Sequence, residues 1–332
     1  MDLESITKYE NDHFESTPIE TMVTISETGY PSYTFKHFVY NARIVDPIGK
    51  DGCWLWLDAS DSNTITVANG GVSLWKDKSL SQYTFQTYSP TTTRQPTWND
   101  DSYKLNNRPT VSFNRANSQY LIGNNNSYKV GRDSFYLFII FKFKNTYGTD
   151  PNFQAVFNKS SYSTKNGRIT CYRGETVVTG YTTMSVETSE TQPKFDMSSN
   201  TDFNMYSLIC NRNTPDTCDS TVYVNGYNYD ISASSVRYNY STDPLWDLST
   251  NANPILLGAY NSSSTPTDYI TDPSNTAIFG GSYLNGSIAE IISYSLPTNM
   301  PVNTIMDVEG YLCKKWGLVN KLPTRHAYYN AV

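Results

Sequence analysis

The chain has 332 residues, enough for one large β domain or two ordinary ones. Only 17% of the residues are charged, below the roughly 25% usual for soluble domains, and polarity comes instead from Asn, Ser, Thr and 27 tyrosines. The net charge is −6 and Lys and Arg nowhere cluster, which excludes nucleic-acid binding, since phosphate contacts need concentrated positive charge.

A surface of neutral polar groups suits packing among neighbours or contact with sugars. Met1–Ile6 is acidic and lacks both a basic leader and an apolar stretch, which predicts no Sec export. The longest apolar run, Phe135–Phe141, is far too short to span a bilayer, so no membrane insertion is expected.

Taken in chain order, residues 1–47 form an N-terminal arm or docking segment. Asp2, Glu4, Glu10, Asp12, Glu15 and Glu20 face a lone Lys8. Met22–Ser26 and Tyr33–Tyr40 then alternate like strands around the turn Thr28-Gly29-Tyr30-Pro31. Two strands cannot build a core alone, so the arm must dock on the main domain or on a partner, and alternation of this kind invites strand addition to a sheet edge.

Residues 48–318 carry strand signals parted by Gly, Pro, Asn and Asp. The predicted strands are Cys53–Leu57, Pro109–Phe113, Phe135–Phe143, Ala155–Asn158, Arg168–Arg173, Met205–Asn211, Ser220–Val224, Ile255–Ala259 and Ser287–Ser295. Phe135–Phe143 is apolar on both faces and reads as a central strand. Asn225-Gly226 after Thr221–Val224 predicts a hairpin with a type I′ turn. Thr188–Thr201 and Ser262–Gly281 read as inserted loops.

One helix is predicted at Val302–Trp316, with Ile305, Val308 and Leu312 on one face and Met306, Cys313 and Trp316 at its edge. Pro301 opens it, Lys314 and Lys315 fill its last turn and Gly317 follows its end. Residues 319–332 are a C-terminal tail. The five cysteines have no metal-like spacing; Cys210 and Cys218 flank a hairpin loop, and both a disulfide and idle thiols remain open for them.

An ordered set of blocks resembles the laminin-G-like branch of the concanavalin A-like lectin and glucanase superfamily. It begins with Leu57-Asp58-Ala59-Ser60-Asp61 and Gly71–Ser79, and continues through Arg94–Thr97, Asn107–Phe113 and Gln119–Leu121. It ends with Val222–Gly226, Ile255–Gly258, Gly286–Ile292 and Glu309–Leu318. The resemblance spans about residues 52–318 and implies an all-β, antiparallel sandwich of jelly-roll type with one short C-terminal helix. Two departures, Leu80-Ser81-Gln82 and Asn114-Arg115-Ala116, fall in loops where the family usually has Gly-Asn-Gly and Asp-Gly. No ligand site carries over there.

That superfamily contains glycoside hydrolases, which need two carboxylates about 5 Å apart in the retaining case. The Glu-x-Asp-x-x-Glu pattern is absent, and between residues 52 and 318 the glutamates are Glu175, Glu187, Glu190, Glu290 and Glu309. Glu290 and Glu309 fit structural positions of the family. His13, His37 and His326 lie outside the sandwich blocks, so no His-based triad is expected within it. No catalytic residue and no cofactor is assigned. Asp58, Asp61 and Asp77 are the weak candidates for calcium, against the stronger reading that they cap their own turns. Trp54, Trp56, Trp75 and Trp316 are expected to be framework, and no sugar platform can be chosen among the tyrosines.

The expectation is therefore a non-enzymatic structural or surface module of a large assembly. The low charge, the Asn-, Tyr-, Thr- and Ser-rich strands, the lack of an export signal and the arms at both ends point to a virion structural protein (minor capsid, decoration or fibre-associated), made in host cytoplasm, whose partners are other structural proteins met through the N-terminal arm, and the resemblance permits this. The alternative is a carbohydrate-binding lectin or adhesion module at a cell surface, with glycans as partners. A glycoside hydrolase stands third.

Overall fold

The computed structural model describes residues 19–25, 33–39, 52–87, 92–98, 103–123, 133–145, 154–159, 168–173, 181–187, 194–196, 201–214, 217–228, 236–239, 254–260 and 283–329. Two compact units emerge, Met1–Val45 and Asp46–Asn330. In the first, β1 (Ile19–Ile25) and β2 (Tyr33–Val39) pair antiparallel in full register, Ile19 opposite Val39 and Ile25 opposite Tyr33. They make a two-stranded sheet of their own.

The second unit begins with β3 (Cys53–Asp58), β4 (Ile65–Ala68), β5 (Gly71–Lys76), β6 (Thr84–Gln86), β7 (Thr97–Trp98), β8 (Val111–Phe113) and β9 (Leu121–Gly123). It continues with β10 (Ser134–Phe143), β11 (Gln154–Lys159), β12 (Arg168–Arg173), β13 (Tyr181–Glu187), β14 (Lys194–Asp196), β15 (Asn204–Thr214) and β16 (Thr217–Val224). The last strands are β17 (Tyr227–Asn228), β18 (Val236–Asn239), β19 (Leu256–Leu257) and β20 (Gly286–Leu296), followed by the helix α1 (Val302–Trp316).

These strands form two nine-stranded sheets. One runs β17-β16-β15-β10-β20-β8-β7, with β18 on β16 and β3 on β20; the other runs β14-β13-β12-β11-β19-β9-β6-β5-β4. All pairings are antiparallel. The fold is an all-β sandwich with a short C-terminal helix.

The period of two in β10 explains its apolar run on both faces. Phe135, Leu137, Ile139, Phe141 and Phe143 enter the core shared with Trp75, Phe85, Val156 and Phe157 of the facing sheet. Tyr136, Phe138 and Ile140 enter a second core, against Val308, Leu312, Cys313 and Trp316 of α1. One sheet is thus covered on both sides, by its partner sheet and by the helix.

Between β10 and β20 the register slips at Ile140/Phe141, leaving Ala289 without an opposite residue. This bulge puts the successive residues Ala289 and Glu290 both toward the helix side, a re-aiming that β-bulges produce. Helix α1 ends at Gly317, whose φ of 70° suits glycine, and the Leu318 N–H closes on the Cys313 carbonyl at 2.7 Å.

The Asn225-Gly226 turn has φ of 50° and 73°, as a type I′ turn requires. A three-residue strand, β14, interrupts the expected loop Thr188–Thr201, of which residues 188–193 and 197–200 lie outside the described ones. The loop Ser262–Gly281 also lies outside them. In β15–β16, Cys210 faces Ser220 and Cys218 faces Arg212. The two cysteines are thus diagonal, two positions off, roughly 7–8 Å apart and beyond the usual reach of a disulfide.

Residues 319–329 of the C-terminal tail make specific contacts. Leu322 joins the helix-side core. The Lys321 ammonium donates to the Phe203 carbonyl at 2.8 Å, and the Tyr328 hydroxyl donates to Asp307 at 2.8 Å. A Cβ on Gly310 would lie 2.3 Å from the Tyr328 ring, so the helix needs glycine there for the segment to lie flat.

Candidate functional sites

The bulge at Ala289 delivers Glu290, fully buried, to the junction of β3, β20 and α1. One carboxylate oxygen, Oε1, accepts the Trp56 indole N–H at 2.7 Å and the Tyr311 hydroxyl at 3.0 Å. The other, Oε2, accepts the Lys315 ammonium at 2.7 Å and the Trp316 indole N–H. Burial pushes the Glu290 carboxyl up, Lys315 pulls it back and nearby Asp58 adds to the rise; the net direction is upward.

Asp58, directly across from Glu290 on β3, shares the same lysine. Its Oδ1 accepts the Ser60 N–H (3.0 Å) and hydroxyl (2.7 Å), while Oδ2 lies 2.8 Å from Lys315 Nζ and 3.0 Å from Lys78 Nζ. Burial raises the Asp58 carboxyl, but the charge and hydrogen bonds of Lys315, with help from Ser60 and Lys78, hold it below the ordinary carboxylate value. Every carboxylate oxygen of the pair is occupied by protein donors.

The calcium candidates are therefore arranged as follows. Asp58 and Asp61 come together, each 3.0 Å from Lys78 Nζ, so an ammonium stands where a cation between them would have to sit. Lys78 also covers the Trp56 ring at 4.1 Å. Asp77 is spent elsewhere. Its Oδ1 accepts the N–H groups of Trp56 (2.7 Å) and Ser79 (2.8 Å), and its Oδ2 the Ser79 hydroxyl (2.6 Å) and the Tyr83 N–H (3.3 Å). Burial outweighs these bonds and raises its carboxyl. Among the described residues, no group of three or more His, Cys, Asp or Glu is placed to hold a metal.

His326, expected outside the sandwich, instead folds back onto it. Its Nε2 is 3.3 Å from Glu309 Oε2, and Ser207 on β15 donates its hydroxyl to Glu309 Oε1 at 2.9 Å. The Tyr328 N–H donates to His326 Nδ1 at 3.2 Å, which assigns the ring proton to Nε2 and makes the ring the donor to Glu309. The carboxylate stands between hydroxyl and imidazole, so the order needed to activate a serine through histidine is not met. Glu309 and His326 also line a groove of about 280 Å³ whose walls include Ile209, Tyr223, Ile305, Met306 and Pro323.

A second cleft, about 260 Å³, opens beside the turn that follows Phe113. Its polar lining is Thr97, Ser112, Asn114, Asn117, Gln119 and Asn285; Tyr103, Phe113 and Lys144 complete it. Asn114 caps the 3-10 turn Arg115–Asn117 by accepting the Ala116 N–H at 3.0 Å, and Ser118 follows with a φ of 51°. The Asn114 N–H in turn donates to Gln119 Oε1 at 2.7 Å, and Gln119 Nε2 to the Thr93 carbonyl at 3.2 Å. At the cleft floor the Ser112 and Ser287 hydroxyls share a bond of 2.9 Å. No carboxylate is among the lining residues.

No protein-family model matches the chain, and no curated protein does. Solved structures with partial likeness include a sialidase CBM40 domain from Ruminococcus gnavus bound to α2,3-sialyllactose. It shows 13% identity and a TM-score of 0.31 over 54% of this chain and 84% of that one. A Trypanosoma rangeli sialidase in complex with sialic acid shows 10% identity and a TM-score of 0.39 over 94% and 38%. An arabinofuranosidase complexed with an arabinofuranosyl xylobiose shows 11% and 0.41 over 81% and 60%. The chain spans 26% of a NanB structure, at 16% identity and a TM-score of 0.36.

Proposed function

We propose that this chain is a non-enzymatic structural module of a large assembly, joined to its partners through the N-terminal hairpin. The observation that carries this reading is the separate sheet of β1 and β2. An isolated two-stranded hairpin is marginal in water, and among the described residues both strands pair only with each other, so both outer edges offer backbone groups to another chain. Within the sandwich, Asp58, Asp77, Glu290 and Glu309 are spent on internal bonds, which supports a scaffold rather than an acid–base role.

A virion is the setting we propose, as a minor capsid, decoration or fibre-associated component, on the laminin-G-like resemblance of the framework blocks and the low charge of the surface. The test is whether the chain occurs in purified particles at a fixed copy number, and whether removing residues 1–45 abolishes its incorporation. A monomeric full-length chain with a protease-resistant hairpin would count against the reading.

A second reading, a carbohydrate-binding module, is favoured by the amide- and hydroxyl-lined cleft beside Asn117. The two readings are compatible on one particle surface. A glycan array run with and without calcium tests it.

A further inference from the structure

We infer that the cleft between β7, β8 and the start of β20 is a subsite for one neutral sugar unit, held by hydroxyl hydrogen bonds. The inference rests on the carbohydrate-binding reading and assigns its residues.

The cleft size comes first. About 260 Å³ is near the lower bound of ligand pockets and suits a single ring rather than a chain. The lining chemistry comes second. Amides and hydroxyls each offer a donor and an acceptor, the pairing that neighbouring sugar hydroxyls demand. A metal ion would call for carboxylates, and none is among the lining residues; the one cation there, Lys144, lies over the Tyr103 ring at 5.7 Å.

Pre-organisation comes third. Asn114 and Gln119 are locked to each other and to the backbone, so the turn Arg115–Asn117 is fixed before any ligand arrives. Two groups remain available. Among the described residues neither the Asn117 side chain nor the Tyr103 hydroxyl makes a hydrogen bond, and both face the cleft. With no lining carboxylate, the cleft binds without the groups that glycoside hydrolysis requires.

The full-length chain is screened on an array of neutral and acidic glycans, and each hit is measured by calorimetry at low and high salt. The expected result is a neutral-sugar ligand whose affinity is insensitive to salt and falls about tenfold in Asn117→Ala and in Tyr103→Phe. Arg325→Ala, in the groove lined by Glu309 and His326, should leave it unchanged. Both test side chains lack native hydrogen bonds, so the variants should melt with the parent chain, and Asn117→Trp, which fills the cleft, provides a second block. Binding that survives all three cleft variants overturns the site but leaves the carbohydrate reading standing. A ligand that is acidic and weakened by salt overturns the neutral class. A blank array overturns both the site and the reading.

Discussion

Lys315, in the last turn of α1, reaches 2.8 Å to Asp58 at the end of β3. The first strand of the sandwich and its closing helix are thereby tied through one ammonium, which at the same time lies 2.7 Å from Glu290 on β20. Trp56 and Trp316 complete the tie by donating their indole N–H groups to the two oxygens of Glu290. Asp58, Trp56, Glu290, Lys315 and Trp316 thus form one buried clasp.

Glu290→Ala should cost about 3–5 kcal/mol, because it leaves the Trp56 and Trp316 indole donors without an acceptor in a closed interior and removes one of the two carboxylates that hold Lys315. Denaturant unfolding monitored by tryptophan fluorescence measures this. Lys315→Met should also destabilise, and the double variant should lose less than the sum of the two singles.

Acid should loosen the same clasp through Asp58. Its folded-state carboxyl titrates below the ordinary value of 3.8, so its contribution is present above that value and is lost as the pH falls through the folded one. The stability difference between the parent and Asp58→Asn should therefore be full near neutrality and shrink below about pH 4. Asp77 and Glu290, both raised, work in the opposite sense: their contributions are present at low pH and are lost as the pH rises through their folded values. Unfolding curves collected across the acid range separate the two senses.

The C-terminal segment should detach when Gly310 is replaced by Ala, since the new Cβ would meet the Tyr328 ring. A loss of about 1–3 kcal/mol is expected from the overpacking. Trypsin should then cut after Arg325 faster than in the parent chain, while the sheets keep their circular dichroism.

Reduction should leave the unfolding midpoint unchanged. The diagonal register of Cys210 and Cys218 argues against a bridge, and a midpoint lowered by reductant would contradict that register.

Much of the sandwich can be read from local pattern. The run Phe135–Phe143, apolar on both faces, reads as the central strand because period-two alternation feeds two cores at once. Helix α1 and the Asn225-Gly226 turn are fixed by residues within a few positions of each other. Strands such as β7, β17 and β19 have two residues each and exist only because a neighbouring strand pairs with them, so no local signal marks them.

Site residues follow the same division. That Asp77 serves its own turn is legible from Asp77-Lys78-Ser79. The meeting of Asp58, Glu290 and Lys315 joins residues far apart in sequence, and a bulge that alternation cannot foresee aims Glu290. His326 was expected outside the sandwich because nothing near it marks contact; Gly310 makes room for the segment that carries it, and only the folded helix brings the two together.

The hairpin, not the sandwich interior, is proposed to carry the partner contact. The direct measurement compares incorporation of the full chain and of a chain lacking residues 1–45 into purified particles, with thermal melting of the sandwich followed in both. The expected result is an unchanged sandwich transition and loss of incorporation. Equal incorporation of the shortened chain would contradict it.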